Sequence, residues 1–195
     1  MIIAIDTSSL LSLVRYYLPF DTKNVLFETI KSKITTGEII IIDAVVEECK
    51  YTSKGLVLAS LPFLTDREFN KKYKFLQNTE FIFPPAPRAF YNKVDNQFVN
   101  GASKNRLTEA QYDVQKNEFL NSADMRLILT CLNLKKDYPL EVENIFLVTE
   151  ETETGNDGKV FKKIPAICIQ LGIQTINIQQ LIAKFDSLKI EISAK

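Results

Sequence analysis

Acidic side chains recur in this sequence at one kind of place, directly after a short apolar run. Asp6 ends the opening run Met-Ile-Ile-Ala-Ile, Asp43 and Glu48 follow Ile39–Ile42, and Glu150 and Glu151 stand just beyond Ile145–Val148. Asp124 falls in the first turn of a helical stretch. In open α/β sheets ligands gather at the carboxyl ends of the strands, so parallel strands would bring these acids to one rim. Clustered carboxylates repel one another unless a cation joins them. Hard divalent ions such as Mg2+ and Mn2+ prefer oxygen ligands of this type. One or two such ions can activate water and stabilise the leaving oxygen of a phosphodiester. The residues therefore point to a metal-dependent phosphoryl-transfer site without choosing the reaction. Each acid also has a plainer use. Asp6 suits a helix cap, and Asp124 suits the positive end of a helix dipole. Glu47 and Glu48 point about 100° apart on a helix, so one of them at most faces the rim, and Glu150 and Glu151 pose the same choice.

The chain contains no histidine. Histidine-dependent nucleases, Ser-His-Asp hydrolases and ordinary zinc sites are thereby excluded. Cys49, Cys131 and Cys168 are far apart and show no metal spacing. They read as small buried hydrophobes in a reducing compartment. With 24 basic and 24 acidic residues the net charge is zero. Neutrality counts against a protein that coats nucleic acid, whose affinity comes from phosphate neutralisation, but not against a nuclease with an acidic metal site.

The elements that must position the acids follow a β/α rhythm. The opening run and Ile39–Ile42 lack alternation, as strands buried on both faces do. Between them, Ser8 or Ser9 can cap a helix over 10–17 that ends before Pro19, and Asp21 precedes a second helical stretch. Asp43 stands in a capping position before Ala-Val-Val-Glu-Glu-Cys-Lys. Later, residues 122–134 read as helix, Ile145–Val148 as strand, and 164–171 as a short helix that can start at Pro165. Residues 173–178 read as strand and 179–188 as a last helix. The repeat predicts an α/β domain, a mostly parallel sheet flanked by helices.

Residues 51–119 break the rhythm. They are more polar and aromatic and contain Pro84-Pro85-Ala86-Pro87. Two or three helices are expected there, around 66–77 and 107–118, joined by the proline segment and a loop near Gly101. The expected organisation is one domain over 1–188, with 51–119 as a helical insertion and 189–195 as a tail. No apolar stretch approaches the roughly 20 residues that span a bilayer, and no signal peptide is evident. A cytoplasmic protein without membrane association is expected.

The ordered motifs resemble the PIN-domain family. Ile-Ala-Ile-Asp-Thr-Ser-Ser-Leu is similar to its first strand and aspartate, Asp6. Ile-Ile-Asp-Ala-Val-Val-Glu-Glu-Cys resembles its second motif, where Glu48 fits better than Glu47. Asn-Ser-Ala-Asp-Met-Arg-Leu-Ile resembles the third and places Asp124. Phe-Leu-Val-Thr-Glu-Glu resembles the fourth, with Thr149 at the threonine position and Glu151 where aspartate is usual. Thr-Glu-Glu followed by Ile-Pro and a cysteine looks like a less-studied branch of that family. The resemblance covers roughly 1–50 and 118–187. It implies a Rossmann-like sheet, a Mg2+ or Mn2+ site and endoribonuclease activity. Asp6, Glu48, Asp124 and Glu151 would be ligands, with Thr149 or Ser8 as supporting hydrogen-bond donors. Many relatives are VapC-type toxins, which implies an antitoxin partner and a homodimer. A PIN fold that binds RNA or protein without cutting is the main alternative.

Other folds open similarly. An actin-like kinase also begins Ile-Ala-Ile-Asp-Thr-Ser, but it needs a hairpin after the aspartate and glycine-rich phosphate loops, and the chain has only six glycines. A haloacid-dehalogenase-like phosphatase wants an aspartate where Ser8 stands. For RNA contact, Lys159, Lys162 and Lys163 are candidates near the rim. Lys71, Lys72 and Lys74 read more readily as a solvated face. Tyr16, Tyr17, Phe90 and Tyr91 could stack on unpaired bases, though packing is the commoner use of such rings.

Overall fold

Short runs of β-branched residues with no polar alternation can be extended only where helices cover both faces of the sheet. In a computed structural model of the protein, residues 1–153, 158–185 and 188 are described. Five strands form one all-parallel sheet: β1 (Ile2–Ile5), β2 (Ile39–Ile42), β3 (Leu76–Gln77), β4 (Ile145–Val148) and β5 (Gln174–Ile176), in the order β3-β2-β1-β4-β5. Every residue of β2 and β4 is buried, whereas β3 and β5, at the edges, are not. The sheet is consistent with a Rossmann-like PIN fold.

The helices are α1 (Thr7–Ser12), α2 (Val25–Thr35), α3 (Asp43–Tyr51), α4 (Leu56–Ser60), α5 (Arg67–Tyr73), α6 (Pro87–Asn96), α7 (Gly101–Lys104), α8 (Glu109–Asn121), α9 (Ala123–Asp137), α10 (Ile164–Leu171) and α11 (Ile178–Ala183). Among the described residues none is long and apolar enough to cross a membrane. The expected serine cap of the first helix is replaced. Asp6 leaves β1 in an extended conformation and accepts from the Ser9 amide at 2.7 Å, so the helix begins at Thr7. Beyond Ser12 the chain widens into a π-helical segment, Leu13–Tyr17, and then tightens through Leu18–Phe20 around Pro19.

The middle of the chain departs most from expectation. The helix expected over 66–77 stops at Tyr73, because Lys74 turns into the left-handed region at φ +50°. Leu76 and Gln77 then pair with Ile41 and Ile42, giving the sheet an edge strand. The proline segment runs directly into α6, with Pro87 in the first helical turn, where a missing amide costs nothing. Phe90 and Val94, four residues apart on α6, join Val57, Phe63, Leu64 and Phe98 in the same core as Ile3, Ile41 and Leu147. The helix expected over 107–118 runs from Glu109 to Asn121 and opens with a Thr108–Gln111 capping box. The last helix ends at Ala183; residues 186–187 and the expected tail at 189–195 lie outside the described residues.

One contact fixes the edge strand. Asp43, at the start of α3, accepts from the Thr79 amide at 3.0 Å and also from the Thr79 hydroxyl. Thr79 is buried, so losing this acceptor leaves two donors unsatisfied. Asp43→Ala is expected to lower unfolding stability by about 1–3 kcal/mol. In urea melts, Asp43→Ala combined with Thr79→Val should cost less than the sum of the single changes, as partners in one contact do.

Candidate active site

Strand order reverses direction between β1 and β4: the chain leaves β1 toward β2 and β3, and leaves β4 toward β5. Such a switch point opens a crevice at the carboxyl ends of the two strands. Asp6 is the first residue past β1 and Thr149 the first past β4, and the Asp6 amide donates to the Val148 carbonyl at 3.0 Å. The Asp6 side chain is therefore set where the two strands end together.

Asp6 is only 5% exposed. Burial pushes its carboxyl above the ordinary range, while hydrogen bonds from the Thr149 hydroxyl, the Ser9 amide and the Ser8 hydroxyl pull it back. Ser8 donates to the two Asp6 oxygens at 3.0 and 2.9 Å and accepts from the Glu150 amide at 3.0 Å. Thr149 in turn accepts from the Glu151 amide at 3.1 Å. Each hydroxyl thus bridges Asp6 to the backbone that follows β4.

The paired glutamates separate cleanly. Glu47 forms an exposed ion pair with Lys50 on the same helix. Glu48 instead accepts from the Thr7 hydroxyl at 2.6 Å, which ties α3 to the start of α1. Glu150 accepts from the Ile178 amide at 2.8 Å, at the start of α11. Glu151 accepts from the Ile164 amide at 3.0 Å, at the start of α10. Asp124 sits in the first turn of α9, whose cap Ser122 accepts from the Met125 amide at 3.2 Å.

Asp124 reports on its neighbours. Protein packed around it, and then the negative charges of Glu151, Glu48 and Asp6, push its carboxyl up to about 7, and Lys159 opposes them. Its side chain remains open to solvent at the rim, so water screens part of this repulsion. Glu151, Glu48 and Asp6 are thus each near enough for their charge to act on Asp124. Asp43 is not in this group, being engaged with Thr79.

The donor set is the chemistry of a hard-cation site: carboxylate oxygens, with no histidine. Among the described residues, however, no three acidic or thiol side chains are arranged to hold a metal ion. Asp6, Glu48 and Glu151 are each turned to donors of the protein itself. Glu48 is exposed and Glu151 half-buried, so neither carboxylate is sealed from solvent.

Of the basic candidates, Lys159 and Lys162 are exposed, and Lys163 is the half-buried cap residue of α10. Lys71, Lys72 and Lys74 precede β3 and so lie toward the amino-terminal edge of the sheet, opposite the acids. Phe90 is buried against Tyr91 and Phe98 and presents no stacking face. Tyr17 packs against the core, whereas Tyr16 is exposed. All three cysteines are buried, and burial raises their thiols, Cys49 and Cys131 to about 12. Thr7 is the functional contact that sequence reasoning missed; its only signal is a hydroxyl directly after the strand-ending aspartate.

No curated protein and no solved structure matches the chain. Residues 77–187 match a family model described as a domain of unknown function (DUF4411). That span holds Asp124, Glu151 and the lysines of the rim, while Asp6 and Glu48 precede it. The match covers more than half of the 195 residues, and the chain belongs to the DUF4411 family.

Proposed function

We propose that the protein is a metal-dependent endoribonuclease that hydrolyses RNA phosphodiester bonds. The observation that carries this reading is the gathering of acidic side chains at the switch point of the sheet: beside its burial, the charges of Glu151, Glu48 and Asp6 all act on Asp124. Like charges gathered in one place oppose folding unless something positive joins them. The motifs around Asp6, Glu48, Asp124 and Glu151, which resemble those of PIN ribonucleases, supply the substrate class. A divalent cation bound there would contribute positive charge against the phosphodiester and acidify an attacking water.

The chain's own residues divide the remaining work. Asp6 is fixed by Ser8, Ser9 and Thr149 and gives the site a rigid anionic floor. Glu48 is oriented by Thr7 from the open side. Asp124, in the first turn of α9 and acted on by the charges of Glu151, Glu48 and Asp6, completes the acidic set that would hold the cation. One observation favours a second reading, a PIN-fold module that binds RNA or protein without cutting: among the described residues no three acids stand ready to hold an ion.

Cleavage of a labelled single-stranded RNA in Mn2+ discriminates the two. The nuclease reading expects metal-dependent cutting that falls at least roughly 100-fold in both Asp6→Asn and Asp124→Asn. Absence of cutting across several RNAs, together with no Mn2+ binding by calorimetry, would establish the binding module instead.

The raised carboxyl of Asp124 also sets a pH dependence. The folded state keeps a proton that the unfolded chain releases near 3.8. Metal-free stability should therefore fall as pH rises between about 4 and 7, and Asp124→Asn should flatten that fall in thermal melts. Since a cation must displace the same proton, Mn2+ affinity in titration calorimetry should climb as pH passes through about 7.

A further inference from the structure

Residues 158–162, ahead of α10, are fastened to the helical middle of the chain. The Gly158 carbonyl accepts from the Ser103 hydroxyl at 3.3 Å, and the Val160 carbonyl accepts from the Asn100 amide at 2.7 Å. The Lys162 amide donates to the Phe98 carbonyl at 2.8 Å, completing an antiparallel bridge between Val99 and Phe161. The Phe161 ring stacks on Phe119, with centroids 4.1 Å apart and planes 2° from parallel, and Tyr112 lies 6.0 Å away. Lys159 stands between two anchored residues, and its own side chain is exposed.

Phe119 links this fastening to the acids. Its carbonyl accepts from both the amide and the hydroxyl of Ser122, at 3.2 and 2.7 Å. Ser122 caps α9, and Asp124 lies in the first turn of that helix. Two residues after Lys162, the Ile164 amide is held by Glu151. Residues 158–162 are thus packed against the turn that leads to Asp124 and run into the helix start that Glu151 holds. Lys159 lies near enough for its charge to act on Asp124. A polyanion approaching four carboxylates needs a positive group at that flank.

We propose that Lys159 is the residue that receives an RNA phosphate on the Asp124 side of the site, and that the Phe119–Phe161 stack is the device that positions it. The proposal rests on the ribonuclease reading for its ligand. It also gives the helical middle of the chain a role, that of a platform for the lysine.

The test uses a fluorescein-labelled single-stranded oligoribonucleotide, with binding read by anisotropy in EDTA across a salt series, and Mn2+ binding read separately by calorimetry. Lys159→Gln and Phe161→Ala should each weaken RNA binding about fivefold or more, and should lower the slope of log Kd against log salt by about 0.7, the loss of one phosphate contact on a single strand. The double variant should bind no more weakly than Lys159→Gln alone, and Phe161→Tyr should restore binding. A wild-type salt slope in Lys159→Gln, or a Phe161→Ala loss that adds to it, overturns the proposal and leaves the nuclease reading intact. Mn2+ binding by a wild-type protein that takes up no RNA overturns both the lysine and the RNA assignment. RNA binding that depends on Lys159 in a protein that takes up no Mn2+ upholds the lysine and removes the nuclease.

Discussion

A carboxylate at the buried end of the central strand must be supplied with donors, because an unpaired charge away from water costs far more than any single contact returns. Asp6 finds them in the Ser9 amide and the hydroxyls of Ser8 and Thr149. The first donor starts a helix, and the other two lie against the backbone that follows β4. The junction of β1, α1 and β4 is therefore organised around one charge. Glu48 is reached from the same place, since Thr7 follows Asp6 directly. The cap and the site are one arrangement: the bond that begins α1 also fixes which way Asp6 faces.

Much of this frame is written in local patterns. The runs Ile39–Ile42 and Ile145–Val148 can be little else than strands covered on both faces, and both are fully buried. The helix Ile164–Leu171 follows from Pro165 near its start and Gly172, at φ +64°, past its end. What could not be read is whatever depends on a distant partner. Leu76 and Gln77 continue a helical pattern and become strand only because β2 offers an open edge. Phe90 looks like any exposed aromatic until Phe98 covers it.

The acids divide along the same line. Spacing alone placed Asp6 and Asp124 at element ends, where the structure has them. Adjacent glutamates were ambiguous because helix geometry permits either, and only tertiary donors decided the matter. Lys50 took Glu47, Thr7 took Glu48, and the first amides of two helices took Glu150 and Glu151. The hydroxyl of Thr7 carries no signature in the sequence, since its meaning comes from a glutamate 41 residues away.

The bond from Glu151 to the Ile164 amide joins residues 13 apart in the chain and ties the residues just past β4 to the start of α10. Side-chain reach then sets the distance between the two. An aspartate at this position, shorter by one methylene, would have to draw the start of α10 inward to make the same bond. The glutamate found where PIN-like motifs usually carry aspartate is in this light a spacer: it sets how far the start of α10 stands from the end of β4.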